Sequence, residues 1–115
     1  MSLYRLFYVS TAVPDFHKSD VTALADKAAQ RYGKAGITGS LRFNGINFAE
    51  VLEGEKADLD ALMSEIRADQ RHTGVIVIAM IEIEERMFGT WSASIVDGLD
   101  FQDFVEAMIL RTTAA

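Results

Sequence analysis

The sequence predicts an α+β domain in which one sheet carries two helices on one face. Three observations lead there. Five short segments have the composition of strands, and three others repeat apolar residues at three- and four-residue spacing. The segments follow the order β-α-β-β-α-β-β-α. The chain has 115 residues, room for one core and not for a separate output module. That order is the ferredoxin-like arrangement with an extra strand and a C-terminal helix.

Leu3 to Val9 is β-branched and aromatic, with Tyr4, Leu6 and Tyr8 on one face and Leu3, Arg5, Phe7 and Val9 on the other. Pro14 marks the loop that follows. Ser19 or Asp20 can cap a helix over about 19–34, whose apolar residues are Val21, Leu24, Ala25, Ala28, Ala29 and Tyr32, with Gly33 and Gly36 ending it. Ile37 to Phe43 reads as a strand. Asn44-Gly45 signals a type I′ hairpin turn, and Ile46 to Leu52 is the return strand. Gly54 starts a second helix over about 55–69, with Leu59, Leu62, Met63 and Ile66 as its stripe. Val75 to Ile83 is nearly continuously apolar, which suits a central strand covered on both faces. Trp91 to Val96 is a last short strand. Asp100 and Asp103 open a third helix with the stripe Phe101, Phe104, Val105, Met108 and Ile109. The expected organisation is a domain over 1–97 and, in the same unit, a helix over 98–115 that covers the sheet or mediates association.

Composition excludes several functions. Half the residues are hydrophobic and 24% are charged, so the chain is neither disordered nor low-complexity. Eleven basic residues against seventeen acidic ones give a net charge of −6, against the basic face that nucleic acid requires. No run of about 18 apolar residues suggests a membrane helix, and Met1 to Ser10 lacks the pattern of a signal peptide. The expectation is a cytoplasmic protein with no membrane or nucleic-acid partner. With no cysteine, and with His17 and His72 far apart, no metal site is expected. Gly36-Ile37-Thr38-Gly39 precedes a strand and has the spacing of neither a phosphate loop nor a dinucleotide fingerprint. Ser10, Thr38 and Ser92 have no base near them in sequence, so a nucleophilic enzyme has no support.

Tyr8 and Glu50 stand out. Tyr8 shares a strand face with Leu6, so its hydroxyl should be buried with a partner. Glu50 lies between Phe48 and Leu52 on one strand face, where burial would raise its pKa. Either this face is open to water, or the two groups bond to each other.

Tyr8-Val9-Ser10, Gly36-Ile37-Thr38-Gly39 and Val51-Leu52-Glu53-Gly54 together resemble the BLUF family of blue-light sensors using FAD. So do Ile66, Asp69-x-Arg71-His72 and Phe88-x-x-Trp91-Ser92, all in family order. The N-terminal residues are similar to those of short stand-alone, PixD-like members. The resemblance implies FAD held between the two helices, with Tyr8 as electron donor and Trp91 as a switching residue on the last strand. It places Leu24, Ala28 and Ile66 around the flavin ring, and Asp69, Arg71 and His72 beside it. It also implies departures. The family's glutamine falls on Glu50, its flavin-binding asparagine pair on Arg31 and Tyr32, its methionine on Ala93, and a basic residue of several relatives on Glu65. The photoactive set is thus Tyr8, Glu50 and Trp91, in a sensor of altered or impaired photochemistry that forms a homo-oligomer or signals to a protein effector. The alternative is a flavin-free module for oligomerisation or partner binding, with Tyr32 filling the slot.

Overall fold

A computed structural model of the protein describes residues 2–97. The stripe from Phe101 to Ile109, and the helix expected over 98–115, lie outside the described residues. The elements are β1 (Leu3–Ala12), α1 (Asp20–Lys34), β2 (Thr38–Phe43), β3 (Asn47–Glu55), α2 (Lys56–Ala68), β4 (His72–Ile83) and β5 (Trp91–Ile95). They form one sheet in the order β4-β1-β3-β2-β5. Only β2 and β5 run parallel.

Alternation sorts the side chains into two clusters. On the helix side, Leu6, Tyr8, Leu41, Phe43, Phe48, Leu52 and Trp91 pack with Val21 of α1 and with Leu59, Leu62, Met63 and Ile66 of α2. On the far side, Phe7, Ala49 and Val51 pack with Val9, Ala79, Ile81 and Phe88. Gly39 explains the Gly-x-x-Gly segment structurally. A Cβ there would meet the Val51 carbonyl oxygen at 2.0 Å, so only glycine lets β2 lie this close to β3.

The structure corrects several expectations. The continuously apolar Val75–Ile83 stretch belongs to an edge strand, since among the described residues β4 pairs only with β1. Ile76 and Ile78 are 59% and 49% exposed. The central, doubly covered strand is β3, where only the terminal residues escape full burial. Its two buried glutamates disguise it, because hydropathy cannot distinguish a paired charge from a solvated one. Gly54 belongs to β3, and α2 begins two residues later. Ser19 occupies the α1 N-cap without a side-chain bond, and the Asp20 carboxylate accepts instead from the His17 amide at 2.8 Å. The β2–β3 hairpin forms, but not through a type I′ turn. Gly45 has a φ of 99°, whereas among the described residues no non-glycine residue, Asn44 included, has positive φ. Asn44 Oδ1 instead accepts from the Ile46 and Asn47 amides at 2.9 and 2.7 Å.

Candidate functional site

The two helices stand apart over the sheet and leave a slot of about 310 Å³ between them. Leu24 and Ala28 of α1 face one wall, and Leu62 and Ile66 of α2 the other. The period of α1 puts residues 24, 28, 31 and 32 along one side of the helix. Tyr8, Leu41, Phe48, Glu50 and Trp91 form the floor, each projecting from the helix-side face of its strand. Arg31, Tyr32, Asp69, Arg71 and His72 complete the lining. The photoactive and flavin-contact residues singled out in the sequence therefore border one cavity, whereas Ala93, at the family's methionine position, is not part of its lining.

Strand register makes the floor. Tyr8 pairs with Glu50 across β1 and β3, and Glu50 pairs with Leu41 across β3 and β2. The bond expected between the first two is present: the Tyr8 hydroxyl donates to Glu50 Oε1 at 2.6 Å. The Trp91 indole Nε1–H donates to Glu50 Oε2 at 2.7 Å. One carboxyl group thus joins β1 to β5 across the slot. Glu50 is 2% exposed, and its partners carry no charge. Burial pushes its pKa up to about 7, against the opposing pull of the bonds from Tyr8 and Trp91. The Tyr8 phenol is pushed well above its ordinary value by burial and by the adjacent Glu50 charge. Burial and then Glu50 raise the Tyr32 phenol too.

At the α2 end, Asp69 accepts from the Arg71 amide at 2.9 Å and from its guanidinium. That bonding holds the Asp69 carboxyl below its ordinary value and raises Arg71. His72 lies edge-on to Tyr8 and Phe48. Its Nε2 is 2.6 Å from the Ile66 carbonyl oxygen, which can only accept, so Nε2 carries a hydrogen. Its Nδ1 lies 2.7 Å from Ser10 Oγ on β1, a contact between residues 62 apart that the β1–β4 pairing brings about. At the mouth, Arg31 of α1 pairs with Glu65 of α2. Tyr32 turns inward, as its place in the stripe predicts, and meets the Trp91 ring edge-on at 5.1 Å. Lys27, Leu41 and Phe48 also line the slot. Only their strand or helix period, read with the register, could have found them.

The family model described as sensors of blue light using FAD matches residues 3–94. The chain belongs to the BLUF family. It is a blue-light sensor domain of that family. Among solved structures, the BLUF domain of BlrP1 is 34% identical with a TM-score of 0.75, covering 99% of this chain and 78% of that one. BlrB, a BLUF protein in its dark state, is 29% identical with a TM-score of 0.75, covering 95% and 85%. Photoactivated adenylate cyclase subunit alpha of Euglena gracilis is 34% identical over 88 residues, which is 76% of this chain and 9% of that protein. This BLUF domain thus spans about a tenth of the curated cyclases that it matches. Among the described residues no helix is long and apolar enough to cross a membrane, and no cluster of acidic, histidine or cysteine side chains could hold a metal ion.

The slot suits a flat aromatic ring. Its two walls are aliphatic at Leu24, Ala28, Leu62 and Ile66, and its polar atoms gather on the floor, at the Asp69–Arg71 rim and at the Arg31–Glu65 mouth. Its volume lies at the small end of the roughly 300–1,000 Å³ usual for ligand pockets. Arg71 offers donors for ring carbonyls, and Asp69 and Glu50 offer acceptors for a ring N–H.

Proposed function

We propose that this domain holds FAD with its ring in the slot and senses blue light through photochemistry altered by Glu50. The observation that carries the reading is the carboxyl bridge from Tyr8 to Trp91 on the slot floor. Leu24, Ala28 and Ile66 would sandwich the ring and keep water away. Arg31, Tyr32, Asp69, Arg71 and His72 would bind or orient its polar edges. When bound, FAD supplies absorption of blue light and an acceptor for an electron.

The chain's own part is proton placement. An ionised Glu50 accepts on both oxygens, from Tyr8 and from Trp91, and has no hydrogen to give. A protonated Glu50 has one. With a pKa of about 7, both forms are populated near neutral pH. The Tyr8 proton lies on a 2.6 Å path to Oε1, within reach for transfer when Tyr8 becomes acidic. A change of charge at Glu50 alters the Trp91 bond, and Trp91 opens the edge strand β5. That edge is where a protein effector or a second copy of the chain would read the state. Ile76 and Ile78, exposed on the other edge strand, favour association with a second copy.

The flavin-free reading has one observation in its favour: the Tyr32 ring already occupies part of the slot, against Trp91. Purified protein decides between them. A yellow preparation absorbing at about 450 nm, with a reversible light-induced shift larger at pH 6 than at pH 8, is expected. Colourless protein that takes up no added FAD, FMN or riboflavin would overturn the sensor reading.

A further inference from the structure

We propose that Lys27 and Lys34, with Arg31 between them, form a phosphate shelf at the slot mouth that selects flavin nucleotides over unphosphorylated flavin. The inference rests on the flavin reading above and concerns what lies beyond the ring.

Size places the phosphates outside the slot. A slot of about 310 Å³ takes a tricyclic ring but not a whole dinucleotide, so the phosphates must lie outside it. Position points to α1. A shallow open groove lined by Lys27, Gln30, Arg31, Lys34 and Ala35 adjoins the slot, and Lys27 and Arg31 border both. Residues 27, 31 and 34 are spaced four and three apart, so they share one face of the helix.

Charge makes the case specific. The chain carries a net charge of −6, yet three cations gather along this groove. Arg31 is matched by Glu65, but among the described residues neither Lys27 nor Lys34 enters an ion pair. A dull explanation exists for part of the set: Arg31 and Lys34 lie in the last turn of α1, where cations offset the helix dipole. That effect fades beyond the last turn, so it leaves Lys27 unexplained. Lysine ammonium groups on flexible stems suit a diphosphate that leaves the slot along the helix.

The experiment titrates the full chain, freed of flavin, with riboflavin, FMN and FAD separately, at about 50 and 500 mM salt. At low salt FMN and FAD should bind roughly tenfold more tightly than riboflavin, the sum of two partly exposed charge contacts. High salt should shrink that ratio, because screening acts on phosphate contacts and not on ring stacking. Lys27→Gln/Lys34→Gln should shrink it at low salt, and Lys34→Glu alone should do the same from a position outside the slot. Equal affinities for all three flavins at low salt would overturn the shelf and leave the flavin reading standing. A ratio that survives both variants would likewise overturn it. Failure of all three flavins to bind would overturn both readings together.

Discussion

Two glutamates of the central strand are buried on opposite faces of the sheet, and they are held in opposite ways. Glu53, on the far face, is 0% exposed and meets a full charge, with Arg5 Nε at 2.8 Å. Its oxygens also accept from the Met87 and Phe88 amides, at 2.9 and 3.0 Å, and from Thr38 at 3.2 Å. These bonds pin the connection between β4 and β5 against the sheet, and Arg86 closes it over Thr38 and the Glu53 carbonyl. Glu50, three residues earlier on the slot face, has two neutral donors and no cation. The lesson is that burial alone does not set a carboxylate's role; the charge of its partners does. Glu53 ties the β4–β5 connection to the sheet, and Glu50 is left able to change its proton count near neutral pH.

The harshest way to test the contrast is Glu53→Gln. It leaves the Arg5 guanidinium, itself 3% exposed, without a counter-charge. Denaturant unfolding should show a loss of about 3–5 kcal/mol. Adding Arg5→Met should recover part of it, because the stranded charge is then gone. A loss below about 1 kcal/mol, the worth of a surface pair, would dissolve the contrast.

Glu50→Gln should act on pH dependence instead. The folded pKa of about 7 lies above the ordinary 4.5, so the folded chain keeps a proton that the unfolded chain gives up. Stability from this group is complete below pH 4.5 and is lost as pH rises through 7. The full loss is on the order of 3 kcal/mol, from 1.36 kcal/mol per unit. Wild-type stability minus that of Glu50→Gln should therefore fall between pH 5 and pH 8. A difference that stays level across that range would place Glu50 among ordinary carboxylates.

The smallest effect belongs to Tyr8→Phe. It removes one neutral donor from Glu50, at a cost of about 1 kcal/mol. It should also move the Glu50 midpoint further up, since the Tyr8 bond lowers it. A downward shift would mean that the hydroxyl is not donating.

Much of this pair was legible in the sequence, and the reason is periodicity. Tyr8 beside Leu6, and Glu50 between Phe48 and Leu52, put both polar groups on apolar faces before any register was known. Helix period likewise turned Tyr32 inward. Register itself was not legible. Nothing in residues 75–83 reveals that, among the described residues, β4 pairs only with β1, because a run of isoleucines and valines reads the same at an edge as at a centre. Glu53 was legible as part of a family motif but not as a buried ion, since Arg5 lies 48 residues away and only the β1–β3 pairing brings them together. The capping role of Asn44 was hidden because Asn-Gly also fits the type I′ turn that the hairpin does not use.

Trp91 is the only tryptophan, so its indole N–H gives a single, unambiguous nuclear magnetic resonance signal. That hydrogen points at Glu50 Oε2. Following the signal from pH 5 to pH 9 tests the claim that Glu50 titrates while joining Tyr8 to Trp91. A shift with a midpoint near 7 that disappears in Glu50→Gln is expected. A signal that does not move over this range, or one that moves equally in Glu50→Gln, would contradict it.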